Sequence, residues 1–124
     1  MKLLTHNMLT SNIKGVKNGF PLGIEATNIE VKDVDFNPEF VSRMIPRLEW
    51  KALVETAQKL GHGEDLPTEN ITDDQKSDEE FLRKVHHILL EVEIMEGNLI
   101  CPETGRKFPV SKGIPNMLLN EDEV

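Results

Sequence analysis

The spacing of apolar residues changes period twice along this chain, and that double change limits the folds open to it more than any other feature. Between Phe20 and Phe36, Leu22, Ile24 and Ala26, then Ile29 and Val31, recur at every second position, as half-buried strands require. One or two strands fit. At Asn37-Pro38-Glu39 the pattern stops: asparagine caps free amides, proline tolerates the first helical position and glutamate complements the positive end of the helix dipole. Phe40, Val41, Met44 and Ile45 then share a helical face, Pro46 interrupts, and Trp50, Leu53, Ala57 and Leu60 mark a second helix closed by Gly61 and Gly63. The stretch from Glu64 to Lys76 is polar, contains Pro67 and follows neither period, which predicts a weakly ordered surface loop. Ser77-Asp78-Glu79-Glu80 reads as a capping box with Ser77 as the cap, opening a third helix whose stripe is Phe81, Leu82, Val85, Ile88, Leu89 and Val92 and whose end falls near Glu91.

Strand signals then return. Val92 and Ile94 precede the turn-prone Glu96-Gly97-Asn98, across which Leu99-Ile100-Cys101 is expected to pair back. Phe108-Pro109-Val110 supplies another extended piece, and Ile114 to Leu119 is an apolar run before an acidic tail. At the other end, residues 2–9 read as a short strand followed by a loop through Thr10-Ser11-Asn12 and Asn18-Gly19. The resulting expectation is an α+β protein: residues 1–36 plus 92–124 form a small antiparallel sheet domain, and residues 37–91 form a helical domain inserted into it.

Composition excludes several functions. The 124 residues carry a net charge of −8, a surface that repels a phosphate backbone unless basic residues segregate. Arg106, Lys107 and Lys112 are the nearest approach to such a patch and read as a solvated turn. No apolar stretch is long enough to span a bilayer, and Met1 to Asn7 lacks the apolar core of a secretory signal, so a cytosolic and nuclear location is expected. Cys101 is the only cysteine, which excludes an internal disulfide. Cys101-Pro102-Glu103-Thr104-Gly105 has the outline of a zinc knuckle, yet its second thiolate position holds Thr104, and a hydroxyl is a poor zinc ligand.

The histidines offer little to replace it. His6, His62, His86 and His87 are scattered by the element assignment, and neighbours such as His86 and His87 point about 100° apart on a helix, too far to share one ion. Both read as boundary residues of the apolar stripe. Gly61-His62-Gly63 follows a helix instead of linking strand to helix, the wrong context for a nucleotide site. The apolar run from Gly113 to Leu119 is the feature most in need of explanation: it packs into the chain's own core, or part of it, with the N-terminal segment, forms an edge completed by a partner.

Along nearly its whole length the sequence resembles a eukaryotic family, the small multifunctional activator subunit shared by several methyltransferases (tRNA methyltransferase subunit 112 and its homologues). The resemblance is carried by Met1-Lys2-Leu3-Leu4-Thr5-His6-Asn7-Met8-Leu9, Val34-Asp35-Phe36-Asn37-Pro38, Phe81-Leu82-Arg83, His86-His87, Cys101 through Phe108, and Gly113-Ile114-Pro115-Asn116-Met117-Leu118-Leu119. It implies a zinc-ribbon-like domain built from both chain ends, a central helical domain, and no activity of the chain's own. The partners it implies are catalytic subunits that bind S-adenosylmethionine and act on tRNA, ribosomal RNA and a translation release factor. Some members hold zinc through two cysteine pairs; here Ser11 and Val16 stand near the first pair's place and Thr104 in the second, so a metal-free, cofactor-free chain is expected. The candidate partner-binding residues are Leu4, His6, Met8, Ile114, Pro115, Asn116, Met117 and Leu118. The rival readings are an independent zinc-ribbon-like nucleic-acid-binding module, marked by salt-dependent RNA binding, and a small enzyme working through His86 or His87.

Overall fold

The computed structural model describes residues 1–62, 66–67 and 71–124. Gly23–Val31 (β1), Val92–Ile100 (β2), Lys107–Ser111 (β3) and Ile114–Pro115 (β4) form one antiparallel sheet in the order β1-β2-β3-β4. Leu3–Met8 (α1), Pro38–Met44 (α2), Trp50–Lys59 (α3), Asp73–Lys76 (α4) and Glu79–His86 (α5) are helical. A wider π-type turn, His87–Glu91, carries α5 directly into β2. The α+β class expected from the sequence is the one observed.

The phase slip in β1 between Ala26 and Ile29 has a structural cause. Ala26 lies opposite Gly97, Asn28 opposite Glu96 and Ile29 opposite Ile94, so the register shifts around Thr27. Such a bulge lets residues three apart both face inward, and Ile24, Ala26 and Ile29 all pack on the core. Gly97 lies inside this crossing, not in a hairpin turn. A Cβ there would sit 2.2 Å from the Glu25 carbonyl oxygen, so glycine is needed for close approach of two backbones. The expected turn at Glu96-Gly97-Asn98 is therefore replaced by one continuous nine-residue strand.

The N-terminal strand expected over residues 2–9 is also replaced. Only Lys2 bridges Glu93, while the Ile94 amide donates to the Met1 carbonyl over 2.8 Å; from Leu3 the chain is helical. Leu3, His6 and Asn7 are its buried positions, a spacing of three and four that belongs to a helix. Six residues would not hold a helix alone. Tertiary contacts hold this one: the Asn7 side chain accepts from the Glu49 amide (3.0 Å) and donates to the Glu49 carbonyl (3.1 Å), just ahead of α3.

In the middle of the chain the capping signals act much as read. Asn37 Oδ1 accepts from the Phe40 amide over 3.1 Å, and Gly61 closes α3 with a φ of 86°. Of the loop expected over 64–76, positions 64, 65 and 68–70 lie outside the described residues, and its end is ordered. Thr72 and Gln75 form a reciprocal capping box, at 3.2 and 3.0 Å, that starts α4. Ser77 closes α4 by donating to the Asp74 carbonyl (3.1 Å), and Asp78 caps α5 through the Glu80 amide (3.1 Å). The cap expected at Ser77 is thus Asp78, one residue later, and it is a single side-chain cap without the reciprocal box. Buried side chains of the sheet (Ile94, Leu99, Phe108) and of the helices (Leu53, Val54, Ala57, Val85, Leu89) belong to a single apolar cluster.

Candidate docking surface and knuckle

β4 lies at one margin of the sheet and carries the apolar run beyond it. Pro115 and Ile114 pair with Val110 and Ser111 of β3, and the Asn116 amide donates back to the Pro109 carbonyl (2.9 Å). Asn116 Oδ1 accepts from the Leu118 amide (3.0 Å), which turns the chain. Ile114 is left 69% exposed and Leu118 78%, while Pro115 and Met117 are half-buried, Met117 packing on the core. Met8, Val31 and Val124 are also open to solvent, but Ile114 and Leu118 lie on one short segment, which makes that segment the candidate for an apolar patch.

The segment is held from behind. Arg106 makes a two-pronged contact with the Glu123 carboxylate (3.0 and 3.1 Å), lies 4.6 Å from the Phe108 ring centre and reaches the Leu118 carbonyl (3.4 Å). The guanidinium keeps the Glu123 carboxyl below its usual range. Arg106 is therefore committed to an internal tie, and Lys107 lies 3.4 Å from the Glu25 carboxylate, so the small basic cluster does not assemble a phosphate site.

The N-terminal candidates divide. Met8 is 52% exposed and Leu4 half-buried against the core. His6 is 1% exposed, its Nε2 donating to the Leu22 carbonyl over 2.6 Å, so it holds α1 to the segment before β1 and cannot itself reach a partner. α1 also removes the extended backbone that strand addition at residues 2–9 would need. The two chain ends do meet at β2: the Gly113 amide donates to the Met95 carbonyl (2.9 Å), and a Cβ on Gly113 would fall 3.2 Å from the Met1 nitrogen.

The knuckle folds as its sequence suggests. Gly105 adopts a φ of 77°, its amide donating to the Cys101 carbonyl (2.9 Å), and Glu103 accepts from the Lys17 and Asn18 amides (3.3 and 3.4 Å). This places the loop of Ser11 against Cys101. Burial pushes the Cys101 thiol up, but the hydroxyls of Ser11 and Thr104 and the amides of Thr104 and Glu103 outweigh it and hold the thiol at about 7. The Ser11 hydroxyl is buried and makes no well-aligned hydrogen bond; it stands near the sulfur without closing on it. One thiol and two hydroxyls do not make the four-coordinate nitrogen and sulfur shell that a structural zinc requires, so this donor set does not fit the metal.

Residues 2–113 match the family described as Trm112p-like protein. The chain belongs to the Trm112p-like family. It is 62% identical to the multifunctional methyltransferase subunit TRM112 homolog A of Arabidopsis thaliana, with 100% of both chains covered. Identity to the TRM112-like protein of Mus musculus is 57%, over 99% of this chain and 98% of that one. TRM112 of Saccharomyces cerevisiae is 32% identical over 96% of each chain. The fold is similar to a chain of the solved E. cuniculi Mtq2–Trm112 complex, with a TM-score of 0.53, 21% identity and 95% of both chains covered.

Two of the four histidines, scattered by the element assignment, meet in the structure. His87 on the π-type turn lies 3.4 Å from His62, nitrogen to nitrogen, and 3.0 Å from Glu91. His86 is buried, with Nε2 donating to the Val34 carbonyl (2.8 Å), and Phe36 meets its ring edge-on at 5.4 Å. His62 and His87 are twenty-five positions apart, and no local motif signals their meeting. It depends on how α3 ends at Gly61 relative to α5, which is a tertiary outcome.

Proposed function

We propose that this chain is a non-catalytic docking subunit of S-adenosylmethionine-dependent methyltransferases, joined to its catalytic partner through the β4 margin and the apolar side chains beside it. The carrying observation is the pair of open aliphatic residues, Ile114 and Leu118, on a backbone segment that the Arg106–Glu123 tie keeps in place. Leu4, Met8, Pro115, Asn116 and Met117 complete the contact, and His6 acts behind it by fixing α1. Family membership supports the partner class, since the relatives are named multifunctional methyltransferase subunits. The structural neighbour comes from a complex described as methylating the eRF1 translation termination factor, which supports a release-factor enzyme among the partners; enzymes acting on tRNA and rRNA complete the proposed set.

A non-catalytic role is consistent with the engagement of the reactive side chains. His6 and His86 are bonded to main-chain carbonyls and Cys101 is 1% exposed. The knuckle works without zinc, its turn closed by Gly105 and Glu103. Docking stabilises the partner by mass action: at a hundred times the dissociation constant, about 2.7 kcal/mol is added to the bound folded state. The test is Ile114→Asp with Leu118→Asp. An unchanged circular dichroism spectrum with loss of the co-purified methyltransferase supports this surface; unchanged co-purification removes it.

A further inference from the structure

We propose that His62 and His87 form a binding site for a borderline divalent metal ion, zinc or copper(II), separate from the knuckle and independent of the docking reading. The spacing of the two ring nitrogens fits a shared ion. His62 Nδ1 and His87 Nε2 are 3.4 Å apart; two imidazole nitrogens on a tetrahedral zinc, each at about 2.0–2.1 Å, lie about 3.3–3.4 Å apart. Without an ion the same two nitrogens meet as a long hydrogen bond, His62 Nδ1 donating to the His87 Nε2 lone pair, and a bound ion takes the place of that proton.

The protonation pattern fits as well. The Glu91 carboxylate lies 3.0 Å from His87 Nδ1, and an ionised carboxylate can only accept. His87 Nδ1 therefore carries the proton, which leaves the Nε2 lone pair turned toward His62. A carboxylate behind a histidine is the usual device for fixing a metal-binding tautomer and raising the ligand's basicity. Glu91 is itself positioned by the Val34 amide, which donates to its other oxygen over 3.1 Å. His87 stands on the turn that continues α5, and His62, directly after the closing Gly61, is tied back by its amide donating to the Ala57 carbonyl over 2.8 Å.

Among the described residues no group of three or more histidine, cysteine or acidic side chains converges on a metal position, so two protein nitrogens act here and water fills the remaining positions. His87's side chain is 37% exposed, which leaves the site open to ions from solution. Imidazole pairs select zinc or copper(II) over magnesium and calcium, which prefer oxygen. A bound ion would tie the end of α3 to the π-type turn.

Isothermal titration of the full, tag-free chain with zinc chloride is the test, alongside His62→Ala, His87→Ala, Glu91→Gln and Cys101→Ser. The expected result is one zinc per chain, tenfold or weaker binding in each histidine variant, and about 10- to 100-fold weaker binding in Glu91→Gln, with Cys101→Ser unchanged. Zinc should also raise the thermal midpoint of the wild-type chain and of Cys101→Ser but not of the histidine variants, whose zinc-free midpoints confirm that they fold. Absence of one-to-one binding below millimolar zinc, binding that survives both histidine substitutions, or binding that is lost with Cys101 overturns the site.

Discussion

The two margins of the sheet are built in opposite ways. β1 presents Glu25, Thr27, Asn28 and Glu30 outward, carries a bulge, and is flanked by ion pairs from Glu25 to Lys107 (3.4 Å) and from Lys32 to Glu30 and Glu93 (3.5 and 3.4 Å). Charge and bulging are how proteins discourage strand addition. β4 is also blunted against strand addition, being two residues long with a proline, but in place of charge it presents Ile114 and, just beyond the strand, Leu118 to solvent. One margin is guarded and the other is left sticky. A chain with no partner gains nothing from that asymmetry, since its exposed aliphatics favour aggregation; a chain that is completed by another protein requires it.

The comparison is broken most severely by removing the crossing that shapes the guarded margin. Gly97→Val drives a side chain into the Glu25 carbonyl at 2.2 Å. Chemical denaturation should show a loss of about 3 kcal/mol, with partner binding lost only as a consequence of unfolding. Next in size, Ile114→Asp with Leu118→Asp should leave stability within about 1 kcal/mol, because both positions are exposed. Affinity for a methyltransferase, read by calorimetry, should fall about 1,000-fold, as expected for two central contacts of about 2 kcal/mol each. The matched change on the other margin, Val31→Asp at 55% exposure, should leave affinity unaltered. Arg106→Met keeps the apolar packing on Phe108 and removes the tie to Glu123, so affinity should drop by less than in the double variant, with faster dissociation as the signature.

The smallest effect is one of pH. Burial lowers the His6 pKa, and the bond to the Leu22 carbonyl only partly opposes that. Below the unfolded value of about 6.5 the unfolded chain binds a proton that the folded chain does not, so stability declines as pH falls from there toward the lowered folded value. His6→Gln should flatten that decline in denaturation experiments between pH 7 and 5. An equally steep decline in the variant would assign the dependence to other groups.

Much of this architecture is legible in the sequence because its signals are local. Asn37-Pro38 starts a helix wherever it stands, and the alternation of Ile24 and Ala26 survives in β1. The misreadings share one cause, which is that distant backbone decides them. Gly97 looks like a turn residue because glycine serves turns and close approaches alike, and only Glu25 across the sheet distinguishes the two. Residues 3–8 are too few to declare a period, and Asn7 on the Glu49 backbone settles their form. The apolar run at the C-terminal end was readable as a surface candidate, whereas the burial of His6 and the Arg106–Glu123 tie behind Leu118 were not, since each depends on a tertiary neighbour.

The most direct measurement is amide hydrogen exchange of this chain, free and bound to a methyltransferase catalytic subunit. Selective protection of Gly113–Leu119, with Gly23–Val31 unchanged, is the predicted result; protection of the β1 margin with continued fast exchange at residues 113–119 would contradict the account.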